Sequence, residues 1–326
     1  MQLLFNQLQT KIKEAESVLF VCHRNPDPDT IGSAIALGRY IESLGKSAEY
    51  FCIDKVPDGF LFIRGIEKFI SDIDIFKKNY DLVIFLDCAD VGRCGLDNIL
   101  DYKNQFWTLI DHHVNEEKNA DLVIKDNKAA ATCEIIYKFL EYAGFSIEPS
   151  IATALLSGLL IDTNFLSNQA TKGDSAKIAS ELSSLGADYR SILKTFYFNK
   201  HPEILKIWGR ALSRLKYDKD KNIAMTAILQ DDIRENKILD EAMEGFANFL
   251  NAVLKSDIVM VLREYDNQIR GNIRSSHDEA DVAKIAEKYG GGGHKKAAGF
   301  MCEGRLVEGE DEWHIDPVRS SQRKIY

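Results

Sequence analysis

Three apolar runs in the first half of the chain end abruptly on acids and histidines, and this arrangement constrains the fold more than any other feature. Ser17–Cys22 (SVLFVC) runs into His23-Arg24-Asn25-Pro26-Asp27-Pro28-Asp29, Leu82–Leu86 (LVIFL) into Asp87-Cys88-Ala89-Asp90, and Trp107–Ile110 (WTLI) into Asp111-His112-His113. Runs without polar alternation belong to strands covered on both faces, as in the parallel sheet of an α/β domain. Apolar residues at 31, 34, 35, 37, 41 and 44 have helical spacing, so His23 to Thr30 is a strand-to-helix loop. Ligands of open α/β sheets bind beyond the carboxyl ends of the strands. The three loops are therefore expected to converge on one crevice.

Beyond Ala130 the pattern turns helical, with helices expected over Thr132–Ala143 and Ser150–Ile161, Pro149 suiting the start of the second. Asp162 closes that apolar helix. Helical spacing continues through Ser175–Leu185 and Glu203–Leu215. From Asn222 the character changes: Ile223–Ile228 reads as a strand, Glu241–Leu254 as a helix, and Ile258–Leu262 with Gln268–Ser275 as a hairpin. A helix over Ala280–Tyr289 then meets Gly290-Gly291-Gly292-Gly293-His294. The expected organisation is a first domain at 1–190, a helical linker at 191–218 and a smaller α/β domain at 219–326.

A chain of 326 residues has room for about two domains. The formal net charge of −9 argues against a long basic groove that tracks a polynucleotide, so any nucleic-acid substrate is short. The N-terminal segment carries acids and amides among its apolar residues, which suits an amphipathic helix and not a signal peptide. No window offers the roughly 18 uninterrupted apolar residues of a membrane span. Cys22, Cys52, Cys88, Cys94, Cys133 and Cys302 lack C-x-x-C spacing and read as buried thiols of a cytoplasmic protein. A homodimer is compatible with this reading.

Imidazole and carboxylate are ligands of divalent cations, and four such segments sharing one site suggest two ions. Each segment alone has a plainer explanation. The first could be a capping loop stiffened by Pro26 and Pro28, with Asp29 or Thr30 as helix N-cap. Asp87 and Asp90 could be capping or ion-pair residues, and Asp162 an ordinary helix end. Asp111-His112-His113 is harder to explain so, because three polar groups end a buried strand. Gly32 and Ser33 could offer backbone N–H groups near the metals or simply pack helices.

Together the segments resemble the ordered motifs of the DHH phosphoesterase superfamily: H-x-N-P-D-x-D, a strand-ending Asp, the D-H-H triplet and a helix-ending Asp. Arg270–Ser276, Asp281–Ala283 and Gly290–Phe300 resemble a DHHA1 domain with its G-G-G-H motif. By size and domain content the chain looks similar to the stand-alone oligoribonuclease and pAp phosphatase group. The resemblance implies two Mn²⁺ ions, one held by His23, Asp27 and Asp87 and the other by Asp29, Asp87, His112 and Asp162. Asp87 would bridge them. It further implies that His113 serves as proton donor or hydrogen-bond partner beside the phosphate, with Asp111 orienting the histidines and Asp90 a weaker supporting acid. Many members carry Gly where this chain has Pro28, and proline excludes a left-handed turn there.

For substrate capture the resemblance points to Arg274, Ser275, Gly291, Gly292, Gly293 and His294, with Lys295 a further cation. The glycine run alone could equally be a flexible turn. Arg93 could reach a phosphate or pair with a nearby acid, and His201 and His277 read as surface residues. The implied activity is hydrolysis of short oligoribonucleotides to nucleoside 5′-monophosphates, of pAp, or both. A cyclic di-AMP or pApA phosphodiesterase is the alternative within the enzyme class; a nucleotide-sensing or nucleic-acid-binding module is the alternative outside it.

Overall fold

The computed structural model describes residues 1–88, 94–96, 105–113, 120–167, 171, 173–198, 201–234, 245–277 and 279–316. The chain divides into two compact units, Met1–Thr195 and Phe196–Tyr326. In the first, α1 (Gln2–Glu14) leads into β1 (Ser17–Cys22), α2 (Pro28–Ser43), β2 (Ser47–Phe51), β3 (Phe69–Ile70), β4 (Leu82–Leu86), β5 (Phe106–Asp111) and β6 (Leu122–Lys125). These strands form one parallel sheet in the order β3-β2-β1-β4-β5-β6. The chain first builds outward from β1 through β2 and β3, then returns to β1's other side and builds outward again through β4. The reversal lies between β1 and β4, where Cys22 pairs with Leu86. His23 and Asp87 therefore leave the sheet side by side, at the point where such folds open a crevice.

Helices α3 (Thr132–Tyr142) and α4 (Pro149–Asp162) follow, then α5 (Gly173–Ser184) and α6 (Tyr189–Leu193). Phe139 of α3 meets Phe5 of α1 and Tyr40 of α2 edge to face, so these three helices share one side of the sheet. Ile151 through Leu160 are all buried, which explains why α4 is apolar all round. Gly32 serves this packing: a Cβ there would stand 2.3 Å from the Ala154 carbonyl oxygen, so its role is close approach of α2 to α4. On the other side Leu19, Val21, Phe51, Val83, Phe85, Trp107 and Leu109 bury one cluster with Ile75, Cys94 and Leu96.

The second unit carries α7 (Pro202–Ser213), β7 (Lys216–Asp218), β8 (Ile223–Ile228), α8 (Gln230–Arg234), α9 (Phe246–Val253), β9 (Ile258–Tyr265), β10 (Gln268–Ser275), α10 (Val282–Glu287), β11 (Gly292–His294), β12 (Ala297–Glu303), β13 (Arg305–Glu308) and β14 (Trp313–Asp316). Its mixed six-stranded sheet has the order β11-β12-β10-β9-β8-β7, with β13 and β14 as a separate pair. Ile204, Ile207 and Ala211 of α7 bury with Phe246 and Leu250 of α9 against Val259 and Val261. The part of the expected linker that forms α7 thus contributes core to this unit. Val282 and Ala286 of α10 pack with Ile269, Ile273 and Phe300 in a second cluster.

The glycine run before His294 divides: Gly290, at φ 75°, turns the chain out of α10, and the rest enters a strand. Gly292, Gly293 and His294 pair with Gly299, Ala298 and Ala297 as an edge strand. All six cysteines are free thiols, five of them buried. Among the described residues no helix is long and apolar enough to cross a membrane.

Candidate metal centre

The first motif is held by its own helix start. Asp27 is the N-cap of α2, its Oδ1 accepting from the backbone N–H of Asp29 at 2.9 Å and Thr30 at 3.1 Å. The cap is therefore Asp27, not Asp29 or Thr30 as the plainer alternative had it, because the helix begins at Pro28, three residues before the first apolar position of the spacing. Pro28 falls in the first turn, where its fixed φ suits the helix and its missing N–H is not needed. Proline at this position needs no left-handed turn. His23 Nδ1 lies 2.7 Å from the Arg24 carbonyl oxygen, so Nδ1–H donates there and Nε2 turns to the site.

Asp29 is fully buried, and its two carboxylate oxygens accept from the backbone N–H groups of Thr132 at 2.7 Å and Cys133 at 2.8 Å. Those N–H groups open α3, whose N-cap Ala131 has no capping side chain. Asp29 thus supplies from α2 the cap that α3 lacks, and the helix end favours the negative charge. Asp87 follows β4 with φ 57°, a left-handed conformation costly for a residue with a Cβ. Its N–H donates to Ile110 at 3.0 Å, and Thr132 Oγ1 donates to its Oδ1 at 3.1 Å.

Asp87 divides its oxygens between two groups. Oδ2 lies 3.4 Å from His23 Nε2, which is 3.7 Å from Asp27 Oδ1. Oδ1 lies 3.4 Å from His112 Nε2, which is 3.2 Å from Asp162 Oδ2. His23, Asp27 and Asp87 form one group with ligand atoms mutually within 4.8 Å; Asp29, His112 and Asp162 form another; Asp87, His112 and His113 form a third. Ligands about 2.0–2.2 Å from one ion stand about 3.0–3.5 Å from each other, close to these separations. His112 Nε2 is buried and makes no hydrogen bond although two carboxylates flank it, which suits a metal ligand better than a donor. His113 differs. Its Nδ1 sits 2.6 Å from Asp111 Oδ1 and 3.5 Å from Asp87 Oδ1, so its hydrogen goes to the nearer carboxylate of Asp111.

Charge shows why these side chains call for cations. Burial raises Asp29 well above the carboxylate range, with Asp87 and Asp162 adding repulsion. Burial also lifts Asp162 to about 6 against the pull of His112. Burial works against charge on Asp87, yet the imidazoles of His112 and His23, each 3.4 Å away, hold its carboxyl far below the usual range. Burial disfavours charge on the two imidazoles, yet the carboxylates flanking each push both His23 and His112 up to about 12. In the metal-free chain these histidines hold protons where divalent ions would neutralise more charge.

Residues 17–159 match the DHH family, N-terminal domain, and residues 220–312 match the DHHA1 domain. The chain is a DHH protein with a DHHA1 domain. It is 27% identical over 310 residues to the bifunctional oligoribonuclease and PAP phosphatase NrnA of Thermus thermophilus, covering 94% of this chain and 91% of that one. It is 24% identical over 328 residues to the cyclic-di-AMP phosphodiesterase GdpP of Geobacillus thermodenitrificans, covering 95% of this chain and 48% of that one. An exopolyphosphatase-related protein from Bacteroides fragilis shares the fold with a TM-score of 0.85 at 23% identity, over 92% of this chain and 91% of that one.

In the DHHA1 domain Arg274 is half-buried, and desolvation lowers its pKa. Its Nε donates to Asn248 Oδ1 at 2.7 Å and one Nη to the Ile273 carbonyl at 3.0 Å. Ser275 Oγ donates to the Asp257 carbonyl at 2.6 Å, a strand-end contact. Gly291 and Gly293 are required by packing, since a Cβ would stand 2.2 Å from the Gly299 oxygen or 2.6 Å from the Ala297 oxygen. Gly292 alone of these three opens on free space. Asp90 and Arg93 lie outside the described residues, as does the side chain of His294. His201 is the N-cap of α7, and His277 is exposed.

Sequence reasoning missed three residues that shape the DHH site. Thr132 contacts both Asp29 and Asp87. Glu134, buried at 1% exposure, accepts from Ala130 N at 3.1 Å, Ser175 Oγ at 2.7 Å and Lys138 Nζ at 2.7 Å. A glutamate at the third helical position, reaching back to the chain before the helix, is the sequence signal that could have found it. Lys125 ion-pairs with Asp111 at 3.3 Å and had no such signal, because β6 itself was not foreseen.

Proposed function

We propose that this DHH protein is a two-metal phosphoesterase that hydrolyses short oligoribonucleotides to nucleoside 5′-monophosphates, removes phosphate from pAp, or does both. The observation that carries the proposal is Asp87, which gives one carboxylate oxygen to each of two ligand groups. His23, Asp27 and Asp87 hold one ion; Asp29, Asp87, His112 and Asp162 hold the other. The imidazoles favour Mn²⁺ over Mg²⁺, which prefers oxygen ligands throughout. Two such ions, when bound, activate the attacking water and neutralise the phosphoryl oxygens.

The remaining work falls to the chain itself. Asp111 accepts Nδ1–H of His113, which leaves the lone pair of the ring's Nε2 free to take a proton from the attacking water and hand it to the leaving oxygen. In the DHHA1 domain Arg274 and His294 capture a substrate phosphate, with Asn248 fixing the Arg274 guanidinium. We place the division between the catalytic and substrate-holding domains within 191–218, and the protein in the cytoplasm, in keeping with six free thiols. The relative named as a PAP phosphatase and oligoribonuclease matches both chains nearly end to end, which favours its reaction class. The GdpP likeness supports a second reading, hydrolysis of cyclic di-AMP or pApA. Six ligating side chains gathered without a gap speak against a non-catalytic sensing module.

The test is hydrolysis by chelator-stripped and Mn²⁺-reloaded protein of pAp, RNAs of two to five nucleotides, and cyclic and linear diadenylates. Turnover of pAp or short RNA only after reloading is expected. Preference for a diadenylate replaces the first reading with the second, and turnover of nothing, or full activity in excess chelator, refutes both.

A further inference from the structure

Asp111 and Lys125 face each other on the last rung of the β5–β6 ladder. Along strands that alternate sides, Trp107 and Leu109 precede Asp111 on its face and Val123 precedes Lys125. All three pack in the apolar cluster on that side of the sheet. An aliphatic pair would simply extend this cluster. Instead Lys125 Nζ, itself buried and without a hydrogen bond, lies 3.3 Å from Asp111 Oδ2. Asp111 is fully buried, and among the described residues it is the one acid within ion-pair distance of Lys125. A buried ammonium and carboxylate cost desolvation that packing alone does not require.

The other oxygen of Asp111 is the one that receives His113 Nδ1. Lysine, aspartate and histidine thus form a line with one carboxylate oxygen for each neighbour. A carboxylate held on one oxygen alone can turn about its last bond; a charge on the second oxygen removes that freedom. We propose that Lys125 is a positioning residue for catalysis: it locks Asp111 so that His113 keeps the tautomer with Nδ1 protonated. The kinetic part of the test rests on the phosphoesterase reading above, whereas the spectroscopic part needs no substrate.

Lys125→Met in the metal-loaded full chain is expected to lower kcat about 10- to 100-fold, the usual cost of losing a group that orients another. KM and the content of two metals should be unchanged, and Lys125→Arg should recover most of the rate. Combined with His113→Ala, Lys125→Met should add no further loss, since it acts through that ring. Multiplying losses, an emptied metal site or an undiminished kcat each overturn the proposal. In ¹⁵N-histidine spectra of Mg²⁺-loaded protein, with His113→Ala identifying the signal, wild type should show Nδ1 protonated and Lys125→Met a mixture of tautomers. If Lys125→Met does not fold, wild type and Lys125→Arg decide: an Nε2-protonated His113 in wild type overturns the proposal, and an Nδ1-protonated ring in both, with near-normal kcat in Lys125→Arg, supports it. If wild type turns over no substrate, the functional reading fails while the tautomer still decides Lys125.

Discussion

Glu134→Ala tests how the site is braced. Glu134 ties the loop before α3 to the helix and to α5, through Ala130 N–H, the Ser175 hydroxyl and Lys138. Its removal strands a buried N–H and a buried hydroxyl, each costing about 1–3 kcal/mol. Lys138 counts for less, because it is partly exposed and keeps Asp174 at 3.4 Å and Asp126 at 4.0 Å. A total of about 3–5 kcal/mol is expected, or a fall in Tm of roughly 6–20 °C for a unit of this size. Because α3 begins here and gives Asp29 its two N–H groups, the second ion should be lost more readily than the first. The assay is calorimetry of metal-free wild type, Glu134→Gln and Glu134→Ala, followed by metal titration. Glu134→Gln, which keeps an acceptor for two of the three donors, should fall between the others. A loss below about 1 kcal/mol in Glu134→Ala, within the range of ordinary surface changes, would refute the bracing argument.

Asp87→Ala should abolish turnover and bring bound metal from two ions toward none, whereas Asp27→Ala should spare the second ion; metal analysis of the purified variants checks both. Because His23 and His112 are pushed up to about 12 in the metal-free chain, both carry protons at pH 7 to 9. Each ion must displace one from an imidazole, so affinity should rise at least about tenfold per pH unit for each site and loading should release at least about two protons. Heats of binding that do not depend on the ionisation enthalpy of the buffer would contradict this. The same raised pKa values give the metal-free fold a contribution present in full below about pH 6.5 and lost only as pH climbs toward 12. Pro28→Ala should cost about 0.4–1 kcal/mol by denaturant titration and leave turnover nearly unchanged, since the first helical turn needs no N–H from residue 28.

The parts of the fold that were legible are those where one physical signal dominates. β1, β4 and β5 are unbroken apolar runs because both faces are covered, and α4 announced itself by Pro149 and an apolar stretch ending at Asp162. β2, β3 and β6 were not foreseen. Ser47–Phe51 mixes small and polar residues, Phe69–Ile70 is two residues long, and Leu122–Lys125 is four residues ending in a charge. Such strands are selected by their neighbours in the sheet and not by local preference. The ligand groups could be read because they follow legible strands. The supporting residues Thr132, Glu134 and Lys125 could not, since each acts across 14 to 103 positions of chain or sits in an element chosen by tertiary context.

Asp87 shows how far the fold departs from local preference at its centre. The left-handed backbone at φ 57° would be cheapest with glycine, and an aspartate there costs about 1–3 kcal/mol of conformational strain. That cost is held in place by the N–H bond to Ile110 on one side and Thr132 on the other. Both partners belong to elements that also carry or cap ligands: β5 ends at Asp111, directly before the ligand His112, and α3 receives Asp29. Position 87 is thus over-determined by the same segments that build the two ligand groups. What glycine would lack there is the carboxylate, with one oxygen toward His23 and the other toward His112. The strain is tolerated for the side chain's sake, which makes the backbone outlier and the shared ligand two aspects of one requirement.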